Sequence, residues 1–112
     1  NKNILRNIND KSNFFQKEMN FFFEKKDLNL RIYRYASILR IVYTNNKIQN
    51  RLQRDFFENK NLKKIKAFKN FLLKKNIYYA SNGIIFFSSA TSLKNIEYIM
   101  KQMKIGSLKF FK

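Results

Sequence analysis

The chain has 112 residues and a net charge of +17, with 24 Lys and Arg against 7 Asp and Glu. Its length suits one domain with one modest core. It has no Cys and no His, which excludes disulfides, thiolate metal sites and the usual general base near neutral pH. The charge excess repels itself in a compact state and calls for a dense negative partner, of which nucleic acid is the commonest.

Phe (13) and Tyr (6) supply much of the apolar material, Gly is scarce at 2, and Pro and Trp are absent. Asn, Lys, Ile, Phe and Tyr dominate, and all five have codons rich in A and T. The composition therefore points to an A/T-biased genome such as an organelle's. A chain made inside an organelle needs no targeting segment. The opening Asn1–Asp10 has no signal-peptide layout, the chain begins without Met, and no apolar run is long enough to span a bilayer.

Residues 1–12 read as a basic arm or short helix, and 13–112 as the domain. Phe15, Met19, Phe22 and Phe23 fall on one helical face, with Ser12 as N-cap, predicting a helix at about 13–26. Residues 27–37 form a basic connection holding Arg31 and Arg34. Ser37–Thr44 is β-branched and aromatic, and predicts a strand with Leu39, Ile41 and Tyr43 on one face. Ile48, Leu52 and Phe56 predict a helix at 46–58. In it Asp55 and Glu58 stand beside Arg51 and Arg54, as an ion-paired face. Leu62–Ala67 alternates as a second strand, and Phe68–Lys75 follows as a short helix. Tyr78–Asn82 is a loop closing at Gly83. The run from Ile84 to Phe87 is apolar on both faces and predicts a central strand. Ser88–Ser92 offers N-caps for a helix at 92–103, striped by Leu93, Ile96, Met100 and Met103. Gly106 sits near its end, and Leu108, Phe110 and Phe111 form a last short strand. The fold class is α/β: a single small layered domain of about four strands with helices packed on the sheet.

No catalytic constellation is visible. The seven acids are scattered, and two glycines cannot build a phosphate-cradling loop. A binding protein is expected, with no enzyme activity, cofactor, metal or small-molecule substrate. Seven lysines crowd residues 60–75, with Arg51 and Arg54 just before them, and such charges track a phosphate backbone. Tyr78 and Tyr79 are candidates for stacking on unpaired bases.

Residues 38–111 resemble the N-terminal domain of the large-subunit ribosomal stalk-base protein, the L-ten or P-zero family. The resemblance rests on Phe68-Lys69-Asn70-Phe71-Leu72, at a Lys-Asn motif where a strand opens into a helix, and on Gly83, Phe87 and Ser88. Ile84 stands where the family usually has Pro, and the family's long stalk helix is missing. The resemblance implies an α/β domain that binds ribosomal RNA at the stalk base beside neighbouring large-subunit proteins. Lys69 and Asn70 carry over as RNA contacts. Arg51, Arg54, Lys63, Lys64, Lys66, Lys74 and Lys75 join them from charge placement. A mitochondrial ribosome is the expected setting. The alternatives are a peripheral basic subunit of an organellar membrane complex, with its Phe-rich helices on anionic lipid, or another organellar ribosomal or nucleic-acid-binding protein. Membrane contact is disfavoured, because the Phe residues are committed to a core.

Overall fold

The computed structural model describes residues 2–44, 51–79, 83–88 and 90–112. In chain order the elements are α1 (Lys2–Lys25), β1 (Arg31–Tyr35), β2 (Ile38–Val42), α2 (Arg51–Lys60), α3 (Leu62–Lys74), β3 (Ile84–Phe86) and α4 (Leu93–Phe111). The strands form an antiparallel sheet in the order β1-β2-β3. The chain is a mixed α/β single small domain, with three strands among the described residues instead of about four.

Helix α1 is continuous from Lys2, so the expected boundary at residue 12 falls inside it. Ser12 is not an N-cap. It is buried mid-helix, on the same face as Phe15, Met19 and Phe23, and its Oγ donates to the Ser37 carbonyl at 3.1 Å. The helix ends without glycine. Asp27 takes φ 54°, Leu28 N–H donates to Phe23 O and Asp27 N–H to Glu24 O. This is the Schellman arrangement, with Leu28 and Phe23 both buried against it. The end of α3 repeats it: Asn76 takes φ 64°, Ile77 N–H donates to Leu72 O, and Asn76 N–H to Leu73 O.

The expected basic connection at 27–37 contains β1, which a two-residue turn at Ala36 and Ser37 joins to β2. Leu39, Ile41 and Tyr43 are buried as expected. β2 is the central strand, and β3, expected there, lies at an edge. Gly83 precedes it at φ +84°, where a Cβ would stand 2.6 Å from the Ile41 carbonyl oxygen.

The strand expected at 62–67 is the first half of α3. Its buried residues Ile65, Phe68 and Leu72 are spaced three and four apart, a helical period that outruns six residues of local alternation. Lys69 and Asn70 therefore sit mid-helix and not at a strand-to-helix junction. The expected last strand is likewise the end of α4, where Leu108, Phe110 and Phe111 continue the face begun by Ile96, Met100 and Met103. Gly106 does not end that helix. A Cβ there would come within 2.9 Å of the Phe68 and Phe71 rings, so α3 and α4 approach closely at that point. Ser92 does cap α4, accepting from Asn95 N–H at 3.1 Å. The helix expected at 46–58 is seen from Arg51 and runs on to Lys60; its first residues, and the end of the loop at 78–82, lie outside the described residues.

Helices α1 and α4 pack together, α1 covers one face of β1 and β2, and α3 packs on α4. Phe15, Phe23, Ile32, Leu39 and Ile41 meet in the core. The edge of β1 is closed by side chains. Ile32 N–H donates to Asn20 Oδ1 at 2.7 Å, and Asn20 Nδ2 donates back to Ile32 O at 2.9 Å. Gln16 Nε2 donates to the same carbonyl at 3.2 Å.

Asn20→Ala leaves the fully buried Ile32 N–H without a partner and its carbonyl with Gln16 alone. The expected loss of stability is about 1–3 kcal/mol, read from urea unfolding; a change below about 0.5 kcal/mol would remove the edge closure from the structure's determinants.

Candidate nucleic-acid interface

Helix α3 carries no acid along its length. Lys63, Lys66, Asn70 and Lys74 follow at intervals of three and four, turned away from Ile65, Phe68 and Leu72, and all four are exposed. They form one solvent stripe about 16 Å long. Lys64 and Lys75 are exposed on one flank of it, and Lys69 turns to the other. Lys69 is half-buried, its Nζ 5.3 Å from the centre of the Tyr79 ring. Lys75 closes the helix. Its Nζ stands 5.8 Å from the Phe71 ring, and its carbonyl accepts from the Tyr98 hydroxyl at 3.0 Å. Arg51 and Arg54 belong to α2, and their side chains lie outside the described residues. The structure thus gathers four of the nine expected contact residues into one row. Like charges three apart along it destabilise the free helix by a few tenths of a kcal/mol per pair, and an anion on this face relieves that.

The two tyrosines expected to stack on bases part company. Tyr78 is 79% exposed, whereas Tyr79 is buried, its hydroxyl 2.7 Å from that of Tyr43. Burial pushes the Tyr43 phenol up to about 12, with the Tyr79 hydrogen bond acting against that shift. Tyr79 is raised too, by burial first and then by Tyr43. Two hydroxyls inside an apolar shell satisfy each other and stay neutral.

Beyond its helix neighbours, whose arginine side chains lie outside the described residues, Glu58 has a partner elsewhere. It reaches the sheet, where Arg40 Nη2 donates to Glu58 Oε1 at 3.4 Å. A second cationic surface therefore escaped the sequence reading: Arg31, Tyr33 and Tyr35 of β1, beside Ile38 and Arg40 of β2. Ile32, Tyr33 and Tyr35 favoured a strand, but arginine on both faces of residues 31–35 blurred the alternation. Arg31 lies 6.0 Å from the Tyr33 ring and 3.8 Å from Glu24. Near β3, an apolar hollow of about 320 Å³ is lined by Ile77, Tyr79, Ile85, Phe87 and Met103 among others. Among the described residues no group of three or more acids could hold a metal ion, and no helix is long and apolar enough to cross a membrane.

No family model matches the chain, and no curated protein matches it. Solved structures do. A glutamate-1-semialdehyde-aminomutase from Pseudomonas aeruginosa PAO1 aligns with a TM-score of 0.87 at 11% identity, over 99% of this chain and 24% of that one. A lysine-to-alanine variant of that enzyme, in complex with PMP, aligns equally well. The chain spans about a quarter of the length of these structures, and the likeness is one of fold.

The tyrosine pair generates a pH dependence. A phenol whose folded value lies above its ordinary 10 contributes stability that is whole below pH 10 and is lost as pH rises through about 12. The expected loss from Tyr43 is about 2–3 kcal/mol. Urea unfolding at pH 9 and pH 12, set against a Tyr43→Phe/Tyr79→Phe double variant, isolates it from lysine titration; parallel curves for the two proteins would refute it.

Proposed function

We propose that this chain is one folded unit of a larger aminomutase-like enzyme. The observation that carries the reading is the extent of the structural likeness: 99% of the chain, at a TM-score of 0.87, corresponds to a quarter of that enzyme. A fold does not dictate a function, so the reading is one of analogy. The residues here do not fit a PMP site by themselves. Among the described residues no lysine is buried, and the hollow beside β3 is lined by apolar and neutral side chains. No chemical step is therefore assigned to this unit; its contribution is a rigid wall for a body whose remaining parts hold the reacting groups.

An antibody against the exposed stripe of α3, used on source-cell lysate, is expected to detect a polypeptide roughly four times this chain's 13.7 kDa. Once precipitated and supplied with PMP, it is expected to consume glutamate-1-semialdehyde. A band near 14 kDa would overturn the reading.

A second reading is an rRNA-binding constituent of the large ribosomal subunit at the stalk base, in a mitochondrion. One observation favours it: the uncompensated row Lys63, Lys66, Asn70 and Lys74, on a chain of net charge +17. Each phosphate contact contributes about 0.7–0.9 to the slope of log affinity against log salt. Changing Lys63, Lys66 and Lys74 together to Gln should flatten that slope by about two units on structured RNA, as measured by filter binding from low to moderate salt. An unchanged slope would exclude the row from any RNA contact.

A further inference from the structure

The core takes Tyr79 away from Tyr78, and the fold supplies another ring in its place. Beyond the end of α3 and beside the first turns of α4, an open hollow of about 410 Å³ is lined by Asn76, Tyr78, Asn95 and Tyr98 together with Ile77 and Ile99. That size falls in the range of small-ligand sites. Tyr78 is 79% exposed and Tyr98 45%. The Tyr98 hydroxyl donates to Lys75 O at 3.0 Å, which holds its ring at the close of α3. Asn76 and Asn95 are exposed too. Each engages the fold through its backbone N–H, Asn76 to Leu73 O and Asn95 to Ser92 Oγ, an arrangement that uses neither side-chain amide. Lys74 and Lys75 precede Asn76 in the chain, Lys94 precedes Asn95, and all three lysines are exposed. Among the described residues no acid lines the hollow.

We propose that this hollow takes one unpaired nucleobase of a single-stranded RNA whose phosphates run along the lysine stripe of α3. The proposal rests on the RNA-binding reading above, and it names the part of the RNA that the chain recognises. Chemistry selects the occupant. A base has a planar face, and exposed tyrosine rings are surfaces on which it stacks. Its edge carries hydrogen-bond donors and acceptors side by side, and a carboxamide offers both in return. The phosphate attached to it is anionic, and the chain neighbours of both asparagines are lysines. An acidic peptide would satisfy the lysines and leave the rings and amides unused. A duplex keeps its base faces stacked on one another. The stripe supplies direction, since Lys63, Lys66 and Lys74 lead along α3 to Asn76 at the hollow.

The test is fluorescence anisotropy of the protein with a labelled oligoadenylate RNA of about ten nucleotides, set against an abasic strand of the same length, which keeps the phosphates and lacks the bases. The base-bearing strand is expected to bind roughly tenfold more tightly. Tyr78→Ala is expected to erase that preference and leave affinity for the abasic strand unchanged. At 79% exposure the Tyr78 ring is no part of the core, so its truncation leaves the fold intact. Tyr78→Phe keeps the ring and is expected to keep the preference. Asn76→Gly retains the positive φ that closes α3 while removing the amide, and is expected to reduce the preference severalfold. Equal affinity for the two strands overturns the proposal, as does a preference that Tyr78→Ala leaves intact, or tighter binding of the same strand annealed to its complement. Salt dependence tests the parent reading separately. Stacking releases no counterion, so Tyr78→Ala leaves the salt slope unchanged, while changing Lys63, Lys66 and Lys74 to Gln flattens it. A slope flattened by the lysine change, without any base preference, overturns only the hollow. Binding of neither strand overturns the RNA reading itself.

Discussion

The pairing of the Asn20 side-chain amide with the Ile32 backbone is the constraint on which the rest of the structure depends. The outer edge of β1 presents a donor and an acceptor that no strand satisfies, and an open edge of this kind invites pairing with another chain. Asn20 offers both complements from within a helix. Laying α1 along the strand to do so turns Phe15, Met19 and Phe23 inward onto Ile32, Leu39 and Ile41. The same placement brings Ser12 to the hairpin turn. A polar contact at the edge thus sets the register of an apolar core, which hydrophobic burial alone would leave free to slide.

The core lies chiefly between α1 and the sheet face of Ile32, Leu39 and Ile41, and charge gathers outside it. Helix α1 lies on the sheet face that carries Ile32, Leu39 and Ile41, α4 packs on α1, and α3 packs on α4. Two cationic surfaces result, the solvent stripe of α3 and the arginine-bearing hairpin of β1 and β2. They differ in chemistry. The stripe is lysine on a helix, mobile point charges suited to any phosphate chain. The outer sheet face sets Arg40 beside Tyr33 and Ile84, with its guanidinium already held by Glu58.

Long helical periods were legible in the sequence. The face of Phe15, Met19 and Phe23 and that of Ile96, Met100 and Met103 are both in the core, and Ser92 caps the helix that its neighbours announce. Short segments misled. Leu62–Ala67 alternates only because two lysines happen to fall between apolar residues, and the period that decides it lies further on, at Phe68 and Leu72. The strand at Arg31–Tyr35 was hidden because arginine occupies both faces of it. Its stability comes from partners distant in sequence, Asn20 and β2. The lysine row was visible as charge density, but its geometry depended on knowing that α3 is one helix. Tyr79 was invisible as a core residue, since its partner Tyr43 stands 36 positions away.

The two glycines of this chain stand where a side chain meets an obstacle: Gly83 against the Ile41 carbonyl, Gly106 against two phenylalanine rings. Glycine codons begin with two G bases, so a genome drifting toward A and T erodes glycine wherever another residue will serve. The sequence is saturated with the amino acids such drift favours. Its two glycines coincide with points where the folded chain leaves no room for a Cβ, so neither position can be exchanged without displacing a backbone carbonyl or a phenylalanine ring.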